Sequence, residues 1–547
     1  MECKKKTNTK KPWMILPACE TYFYISVHIS VVAYITYCVY IASNKYGAFF
    51  GGIDFQSGWA FIKRGKDNSD FEWYFFYNLF WSIYPSFFAY IALDWIASRH
   101  LSFIYRKMVC LSFSLILLIY LLGWKTMLLQ VVHCTVMYLV CLLQSKSLVW
   151  ILSIALISTL NIPTCVTWMN SLTPEDSRRN SYYALMATLS LTHLRYTSFC
   201  LERVEFSSSI KQYVVCKAPL QQSAKTKQNE SACPTRKTDE EMKQKEEVHF
   251  SLLDAFSYCF YYPLFFTGPI ITYDDFSKQM NESEKKTLKA SELKSIAFRA
   301  IRVIFWTFFI EFILHFLYVN AFQHNVSTLE NIDQWTLWGI GYCQSHFFMI
   351  KYWVLFGLPS VVARICGIVP PEGPNYVGHI YKYSDMWKCF DRGMYNFIKR
   401  YIYVPLGGSK GNTLQRLVCS ASCFIFVFIW HGTEYYIFIW TLLNFIGISL
   451  EVFGNWVNKH TAVFHFKTSM PAVYRRIQCF VAAPIAIMSI LSTFCFVGGS
   501  SIGNIYYQTI IVKGSMKSLL TNLFIMYCCV NSSMEIDKWL ERKQKKD

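Results

Sequence analysis

Charged residues are scarce in this 547-residue sequence. Asp, Glu, Lys and Arg together make up 16% of it, against roughly 25% in an ordinary soluble protein. A soluble chain of this length would divide into several domains with charged surfaces and linkers, and too few charges are present to cover such surfaces. The shortage excludes a soluble enzyme, a disordered scaffold and a fibrous protein.

Acidic residues are scarcer than basic ones. The chain has 35 Asp and Glu against 53 Lys and Arg, a formal net charge of +18. A basic excess can mark nucleic-acid binding or the positively charged cytoplasmic loops of a membrane protein. The basic residues form short runs between apolar stretches and do not follow one amphipathic face. This distribution favours a membrane protein and does not indicate a nucleic-acid partner.

Paired cysteine motifs are missing, although the chain has 20 cysteines. No pair of C-x-x-C motifs occurs, so the sequence predicts neither a structural zinc site nor a disulfide framework. Many of the cysteines lie inside apolar runs, where cysteine behaves as a small apolar residue. The sequence therefore predicts no metal site.

Apolar and aromatic residues are abundant, at 53% and 18% of the chain, and the mean hydropathy is +0.25. A bilayer span needs about 20 mostly apolar residues. We expect an all-α polytopic membrane protein with about 10–12 membrane segments, some of them re-entrant. The candidate segments lie near 21–43, 74–97, 108–124, 126–145, 147–170, 180–200, 252–271, 297–322, 335–366, 415–431, 434–452, 477–499 and 507–532.

The chain divides into five parts by composition. These are a basic N-terminus at 1–12, a first set of membrane helices at 13–205, a charged mobile loop at 206–250, a second set at 251–533 and a charged tail at 534–547. The lysines of the N-terminus favour a cytosolic location. The stretch 217–247 has no aromatic residue and many charges of both signs, so it is expected to stay solvated and mobile.

The tail has the K-x-K-x-x spacing of a retrieval signal of endoplasmic-reticulum membrane proteins, at Lys543 and Lys545. A plain cluster of charges that stops membrane transfer is the alternative interpretation. The signal requires a cytosolic tail.

His431 follows a long uncharged run, LVCSASCFIFVFIW, and precedes Gly432. An ionisable group at the end of such a run faces the protein interior or a water-filled cavity. A neutral histidine there can accept a proton. The alternative is a core histidine with satisfied hydrogen bonds.

The segment 385–412 mixes charges and aromatic rings at a density that does not suit a lipid-facing span. It includes Asp385, Trp387, Asp391, Arg392, Lys399, Arg400 and Lys410. Such a segment can line a polar chamber or a cytosolic mouth, or it can be an amphipathic helix at the membrane interface. Gly407 and Gly408 follow Pro405 and predict the end of a helix and a tight turn.

A third segment, 258–276, reads YCFYYPLFFTGPIITYDDF. Pro263, Gly268 and Pro269 break what would otherwise be a span. A broken helix is tolerated within the membrane where it lines a cavity. The alternative is a simple helix–loop junction.

Three pieces of the chain resemble the membrane-bound O-acyltransferase family, in the family's order: FFTGPIITYDDF, DMWKCFDRGMYNFIKRYIYVPLGGS and FIWHG. The resemblance covers most of the chain from about residue 180 onward. Two further stretches, KYWVLFGLPSVVARICGIVPP and LTHLRYTSFCLE, also resemble the family. Together these sequences are most similar to the branch that acylates hedgehog-type signalling proteins. The resemblance implies the family's helical bundle, with 251–533 as its catalytic membrane core.

The resemblance also implies roles for individual residues. His431 stands at the family histidine and Asp391 at its acidic partner. Trp430 and Trp387 are expected to shape an apolar slot for the acyl chain. The expected contacts to the phosphates of coenzyme A are Lys399, Arg400 and Lys410.

The implied reaction moves a palmitoyl-type fatty acyl group from acyl-CoA, the co-substrate, to the N-terminal cysteine amine of a secreted, hedgehog-like signalling protein. No further cofactor is required, and the expected location is the membrane of the endoplasmic reticulum or Golgi. A glycerolipid or glycosylphosphatidylinositol-remodelling acyltransferase of the same family is one alternative. The other is a non-catalytic protein that binds or transports lipid or acyl-CoA, whose function would survive the loss of His431.

Overall fold

The computed structural model of the protein describes residues 16–50, 55–174, 178–223, 250–283, 288–376 and 378–544. Nearly all the regular structure in these ranges is helical. The sheet they contain is one antiparallel hairpin of strands β1 (Phe55–Ser57) and β2 (Gly65–Asp67), with Gln56 opposite Lys66. The predicted all-α class is confirmed.

The first half of the chain forms helices α1 to α9. Short 3-10 turns follow α1 and α5. The bounds are α1 Ala18–Tyr46, α2 Phe71–His100, α3 Phe103–Leu122, α4 Trp124–Cys141, α5 Lys146–Ser158, α6 Pro163–Ser171, α7 Arg178–Ser223, α8 Leu252–Cys259 and α9 Tyr273–Ser283.

The second half forms helices α10 to α20. Two π-helical turns, Lys399–Tyr403 and Gln508–Val512, extend α15 and α19. The bounds are α10 Ala290–Ile313, α11 Val319–His324, α12 Val326–Glu330, α13 Gln334–Ile365, α14 Tyr383–Cys389, α15 Arg392–Ile398, α16 Thr413–His431, α17 Tyr435–Val457, α18 Thr461–Ser469, α19 Pro471–Tyr507 and α20 Met516–Gln544.

Nine helices in the described ranges are long and apolar enough to cross a membrane, and the bent pair α5–α6 makes ten if it is one span. The nine are α1, α2, α3, α4, α13, α16, α17, α19 with its π-helical turn, and α20. The segments predicted near 180–200 and 297–322 are helical, but charged residues interrupt them, such as Arg195 in α7 and Arg299 in α10. The protein is a multi-pass membrane protein.

The long helices define two faces of the molecule. Glu20, near the start of α1, forms an ion pair with Arg476, near the start of α19, at 2.5 Å. The face with these two helix starts and the end of α13 is called the basic face. At the other end of α1, the Ser43 hydroxyl accepts a hydrogen bond from the backbone of Tyr318 at 3.0 Å. This end lies beside the β1–β2 hairpin and is called the hairpin face.

The segment 258–276 is broken, as its prolines and glycine predict. Helix α8 ends at Cys259, a 3-10 turn covers Tyr262–Leu264, and helical structure resumes only with α9. The irregular backbone is buried, so it lies within protein and not against lipid. Phe266 and Thr267 of this stretch line the large central cavity.

Helix α7 runs to Ser223, into the loop expected at 206–250. Near the start of that stretch Phe206 packs against Phe250, with ring centroids 5.1 Å apart. The rest of that loop, 224–249, lies outside the described residues, as do the basic N-terminus at 1–12 and Lys545 of the tail.

Buried ion pairs join helices that are distant in sequence. Lys351 in the middle of α13 contacts Asp70 at 2.9 Å and Glu72 at 2.7 Å, next to the start of α2. Arg106 in α3 pairs with Asp94 in α2 at 2.9 Å. Charges in such surroundings are stable only when paired, so these contacts fix which helices lie together around the cavity.

Candidate active site

A cavity of about 1040 Å³ occupies the centre of the helical bundle. Most of its wall is aliphatic and aromatic, with a few polar side chains among them. Helices from both halves of the chain contribute to it. Its lining includes four residues that the sequence singled out, which are Trp387, Asp391, Trp430 and His431.

His431 is the last residue of α16, and the helix end is held in place by two features. The side-chain amide of Asn161 donates a hydrogen bond to the carbonyl of Ile429 at 2.9 Å. Gly432 then turns the chain with φ at +112°, a conformation that a residue with a Cβ rarely adopts. The helix therefore stops at His431 and directs its ring into the cavity.

Aromatic rings surround the His431 imidazole. Trp430, Trp440 and Phe496 meet it edge-on, with ring centroids at 4.7, 5.4 and 5.3 Å. The side chain nevertheless remains accessible from the cavity. Within the described part of the chain neither ring nitrogen has a hydrogen-bond partner. A nitrogen lone pair is thus available to a molecule that enters the cavity.

Asp391 faces the same cavity from a different element. It is the N-cap of α15, and its Oδ1 accepts a hydrogen bond from the backbone N–H of Met394 at 2.9 Å. Burial raises the pKa of the Asp391 carboxyl, against the opposing effect of the N–H groups of Met394 and Gly393. Gly393 lies directly on the backbone of Ile270, where a Cβ would come within 2.5 Å. The broken segment and α15 therefore fix Asp391 together.

The two tryptophans are held by hydrogen bonds at their indole N–H groups. Trp387 donates to the side-chain oxygen of Asn444 at 3.0 Å, and Trp430 donates to the carbonyl of Ser190 at 3.2 Å. The Trp387 ring also packs against Trp440, with centroids 5.5 Å apart. Both indoles present fixed apolar surface to the cavity.

The three cations expected to contact phosphates lie elsewhere on the protein. Arg400 pairs with Glu202 at 2.5 Å and with Asp274 at 3.0 Å. Lys399 and Lys410 are exposed, and the described lining of the cavity includes none of the three. Lys399 and Arg400 begin the π-helical turn that follows α15.

Sequence reasoning missed other polar residues that line the cavity. Glu72 lines the cavity and accepts hydrogen bonds from the hydroxyls of Tyr183 at 3.2 Å and Tyr352 at 3.0 Å. Lys351 holds its other oxygen. A lysine in the middle of a predicted span was the available signal, since a charge at that depth needs a buried partner. Glu434, just beyond His431, lines the cavity as well.

The arrangement suits transfer of an apolar group. A large apolar chamber can hold a long chain, and aromatic walls can exclude water from the reacting atoms. The imidazole of His431 lies within it, and a neutral imidazole can accept a proton. Asp391 and Glu72 add two acidic groups to the lining of the same cavity.

Comparison with known proteins agrees with these features. The family model of the membrane-bound O-acyltransferases matches residues 139–497. The protein-cysteine N-palmitoyltransferase HHAT of Mus musculus is 30% identical over 85% of this chain and 87% of its own. The protein-cysteine N-palmitoyltransferase Rasp of Drosophila melanogaster is 26% identical over 94% of each chain. The membrane-bound O-acyltransferase GUP1 of Saccharomyces cerevisiae is 33% identical over 46% of this chain and 42% of its own.

The family model spans most of the chain, including the broken segment, α15 and α16, which contribute Phe266, Asp391 and His431 to the cavity. The resemblance found in the three sequence motifs is thereby confirmed. The chain belongs to the membrane-bound O-acyltransferase family.

Proposed function

We propose that the protein is a protein-cysteine N-palmitoyltransferase, which moves a palmitoyl-type acyl group from acyl-CoA to the N-terminal cysteine amine of a secreted, hedgehog-like signalling protein. The observation that carries the proposal is the accessible imidazole of His431 inside a large apolar cavity that Asp391 also lines. Two relatives that match most of the chain carry this activity in their names.

In the proposed reaction His431 is the general base. The acceptor α-amine has a pKa near 7.7–8.0 and must be neutral to attack the thioester carbonyl. As the C–N bond forms, the imidazole takes the amine proton. The C–S bond then breaks, and the coenzyme A sulfur leaves as a thiolate that takes the proton from the His431 imidazolium, which restores the neutral imidazole. The products are an amide and free coenzyme A.

Asp391 is proposed to stabilise the imidazolium or to orient the amine. Its carboxylate is held at the cavity wall by the N–H of Met394. Trp387 and Trp430 are proposed to contact the acyl chain, since both indoles are fixed at the wall. Fixed positions matter because a displacement of about 1 Å can reduce the rate roughly 100-fold.

The basic face is proposed to be cytosolic, because Arg364 in the last turn of α13 and Arg476 near the start of α19 lie on it. Acyl-CoA would then approach from that face and the secreted acceptor from the hairpin face, in the membrane of the endoplasmic reticulum. Lys399, Arg400 and Lys410 are the proposed contacts for coenzyme A phosphates. Lys399 and Lys410 are free of ion pairs in the described part of the chain, whereas Arg400 already binds two carboxylates.

A second candidate is transfer to a lipid hydroxyl, as in glycerolipid or glycosylphosphatidylinositol remodelling. The relative that supports it is named an O-acyltransferase and matches about half of this chain. The same cavity and the same histidine would serve, but the product would be an ester.

One experiment separates these candidates. The purified protein is given palmitoyl-CoA and a peptide with an N-terminal cysteine, and the product is analysed by mass spectrometry. We expect an amide that resists hydroxylamine. The matched control is the same peptide acetylated at its amine, which should give no amide. Acylated lipid with no acylated peptide would favour the second candidate, and binding of acyl-CoA without any turnover would contradict both.

A further inference from the structure

A second, smaller cavity of about 190 Å³ lies toward the basic face, between α10, the last third of α13 and the segment 372–375. Three arginines line it, Arg299 and Arg302 of α10 and Arg392 at the start of α15. One carboxylate, Glu372, lines it with them. We call it the arginine pocket.

The carboxylate in the arginine pocket is already neutralised. Glu372 binds the two terminal nitrogens of Arg299 at 2.5 and 2.8 Å, and Arg364 approaches it from outside the lining at 2.8 Å. These guanidinium groups lower the pKa of Glu372, although burial opposes them, so it stays ionised. Two arginines therefore share a single negative charge.

The other two arginines have no carboxylate partner. Arg392 donates to the neutral side-chain oxygen of Asn375, and Arg302 is exposed. Neither has a carboxylate within 4 Å in the described ranges. The pocket therefore presents uncompensated guanidinium groups in a concave site, with an excess of positive charge. Planar guanidinium groups match the oxygens of a phosphate, which they can bind in pairs.

The surroundings of the arginine pocket indicate which molecules could bring a phosphate group to it. Phe356 belongs to the walls of both cavities, and Arg392 directly follows Asp391, so the pocket adjoins the proposed active site. On its outer side, α10 exposes the apolar side chains of Phe298 and Ile301 beside Arg302. A phosphate can thus arrive on coenzyme A, next to the large cavity, or on a phospholipid headgroup, along the apolar face of α10.

We infer that the arginine pocket is a binding site for a phosphate group, carried by the nucleotide of coenzyme A or by an anionic phospholipid. The nucleotide source rests on the proposed acyl-CoA donor, whereas the phospholipid source does not depend on the proposed function. Arg302 and Arg392 supply the binding charges, and Arg299 with Glu372 fixes the pocket between them.

The test compares two variants of the purified full chain on direct binding, without turnover. The variant R302Q/R392Q removes the two unpaired charges, and the matched control K294Q removes an exposed cation from the same helix α10, outside the pocket lining. Coenzyme A binding is measured by calorimetry. Binding of phosphatidylinositol is measured by native mass spectrometry, after reconstitution in nanodiscs of phosphatidylcholine with and without phosphatidylinositol.

We expect R302Q/R392Q to weaken one of the two ligands at least tenfold and K294Q to weaken neither. A loss confined to coenzyme A identifies the nucleotide source, and a loss confined to phosphatidylinositol identifies the lipid source. A double variant R302K/R392K should recover part of the lost affinity and also verifies folding. Unchanged binding of both ligands in R302Q/R392Q overturns the inference. Amide formation by the wild-type protein, measured separately, decides the proposed function independently of this result.

Discussion

Asp391 and His431 line the same cavity from two different helices, yet a carboxylate oxygen of Asp391 is hydrogen-bonded to its own helix, at the N–H of Met394. Asp391 therefore has a structural role as an N-cap, separate from any role in the reaction. An asparagine side chain can still cap the helix, but it carries no charge that could act in the reaction. The two roles can accordingly be separated by substitution.

We predict that Asp391→Asn folds with nearly wild-type stability but loses activity roughly 100-fold. The amide oxygen can still accept the hydrogen bond from Met394, whereas the charge is gone. Asp391→Ala should lose the same activity and in addition destabilise the protein by about 1 kcal/mol, the usual cost of a lost N-cap. Turnover and melting temperature of the two purified variants test this. Full activity in Asp391→Asn would remove the carboxylate from the mechanism.

His431→Ala should reduce turnover by roughly 10²–10⁴-fold, the usual contribution of a general base. The loss of stability should be limited to the edge-on contacts with Trp430, Trp440 and Phe496, because the ring makes no hydrogen bond in the described structure. The matched control is His465→Ala, which truncates an exposed histidine of α18 far from the cavity lining. A His431→Ala protein as active as the control would leave the reaction without its base.

Lys351→Met should destabilise the protein by at most roughly 3–5 kcal/mol, because it leaves the partly buried carboxylates of Asp70 and Glu72 without their cation. Thermal denaturation followed by size-exclusion chromatography measures the loss. Lys388→Met is the control, since Lys388 is exposed and its ion pair with Asp385 at 3.2 Å lies on the surface. The triple variant Lys351→Met, Asp70→Asn, Glu72→Gln should regain part of the stability. Equal melting temperatures for Lys351→Met and Lys388→Met would contradict the prediction.

The hairpin face should become less stable as the pH rises through 6. Asp67 is buried and accepts backbone hydrogen bonds from Ser69, Asn320 and Ala321, each at 3.0 Å. Burial outweighs these bonds and raises its pKa to about 6. The folded protein therefore holds a proton that the unfolded chain releases nearer pH 4, and this contribution to stability is lost above pH 6.

Between pH 5 and pH 7.5 the loss from Asp67 should be on the order of 1 kcal/mol. Asp67→Asn has no proton to lose, so the melting temperature of the wild type relative to Asp67→Asn should fall over this interval. Differential scanning fluorimetry at both pH values measures it. A difference between the two proteins that does not change with pH would show that Asp67 keeps its charge throughout.

Most of the fold could be predicted from apolar runs alone. Nine of the predicted spans correspond to single long helices, because about 20 consecutive apolar residues in a membrane have few alternatives to a helix. The predicted span at 147–170 is instead bent by 75° between α5 and α6. Pro163, at the start of α6, was the local signal of that bend. The extension of α7 past residue 206 had no local signal in the sequence. There Phe206 contacts Phe250, which is distant along the chain.

The candidate site, like the fold, could be predicted only in part from the sequence. His431 and Asp391 stood out because each lies in a short motif whose composition is unusual for a membrane segment. Glu72 did not, because its neighbours in the cavity wall, Tyr183 and Tyr352, come from α7 and α13. Arg400 was expected from the sequence to contact a phosphate, while the folded chain pairs it with Glu202 and Asp274. Motifs give the residue types, but only packing decides which of them face one cavity.

The pairing of Asp70 with Lys351 has a consequence for how the protein is made. The two residues are 281 positions apart, so at 5–20 residues per second a ribosome needs roughly 15–55 s to add the lysine after the aspartate. During that interval Asp70 and Glu72 have no cation to accompany them into the bilayer. We therefore expect the start of α2 to stay near the headgroups until α13 reaches the membrane. The chamber consequently closes late in biosynthesis, after both halves of the chain have reached the membrane.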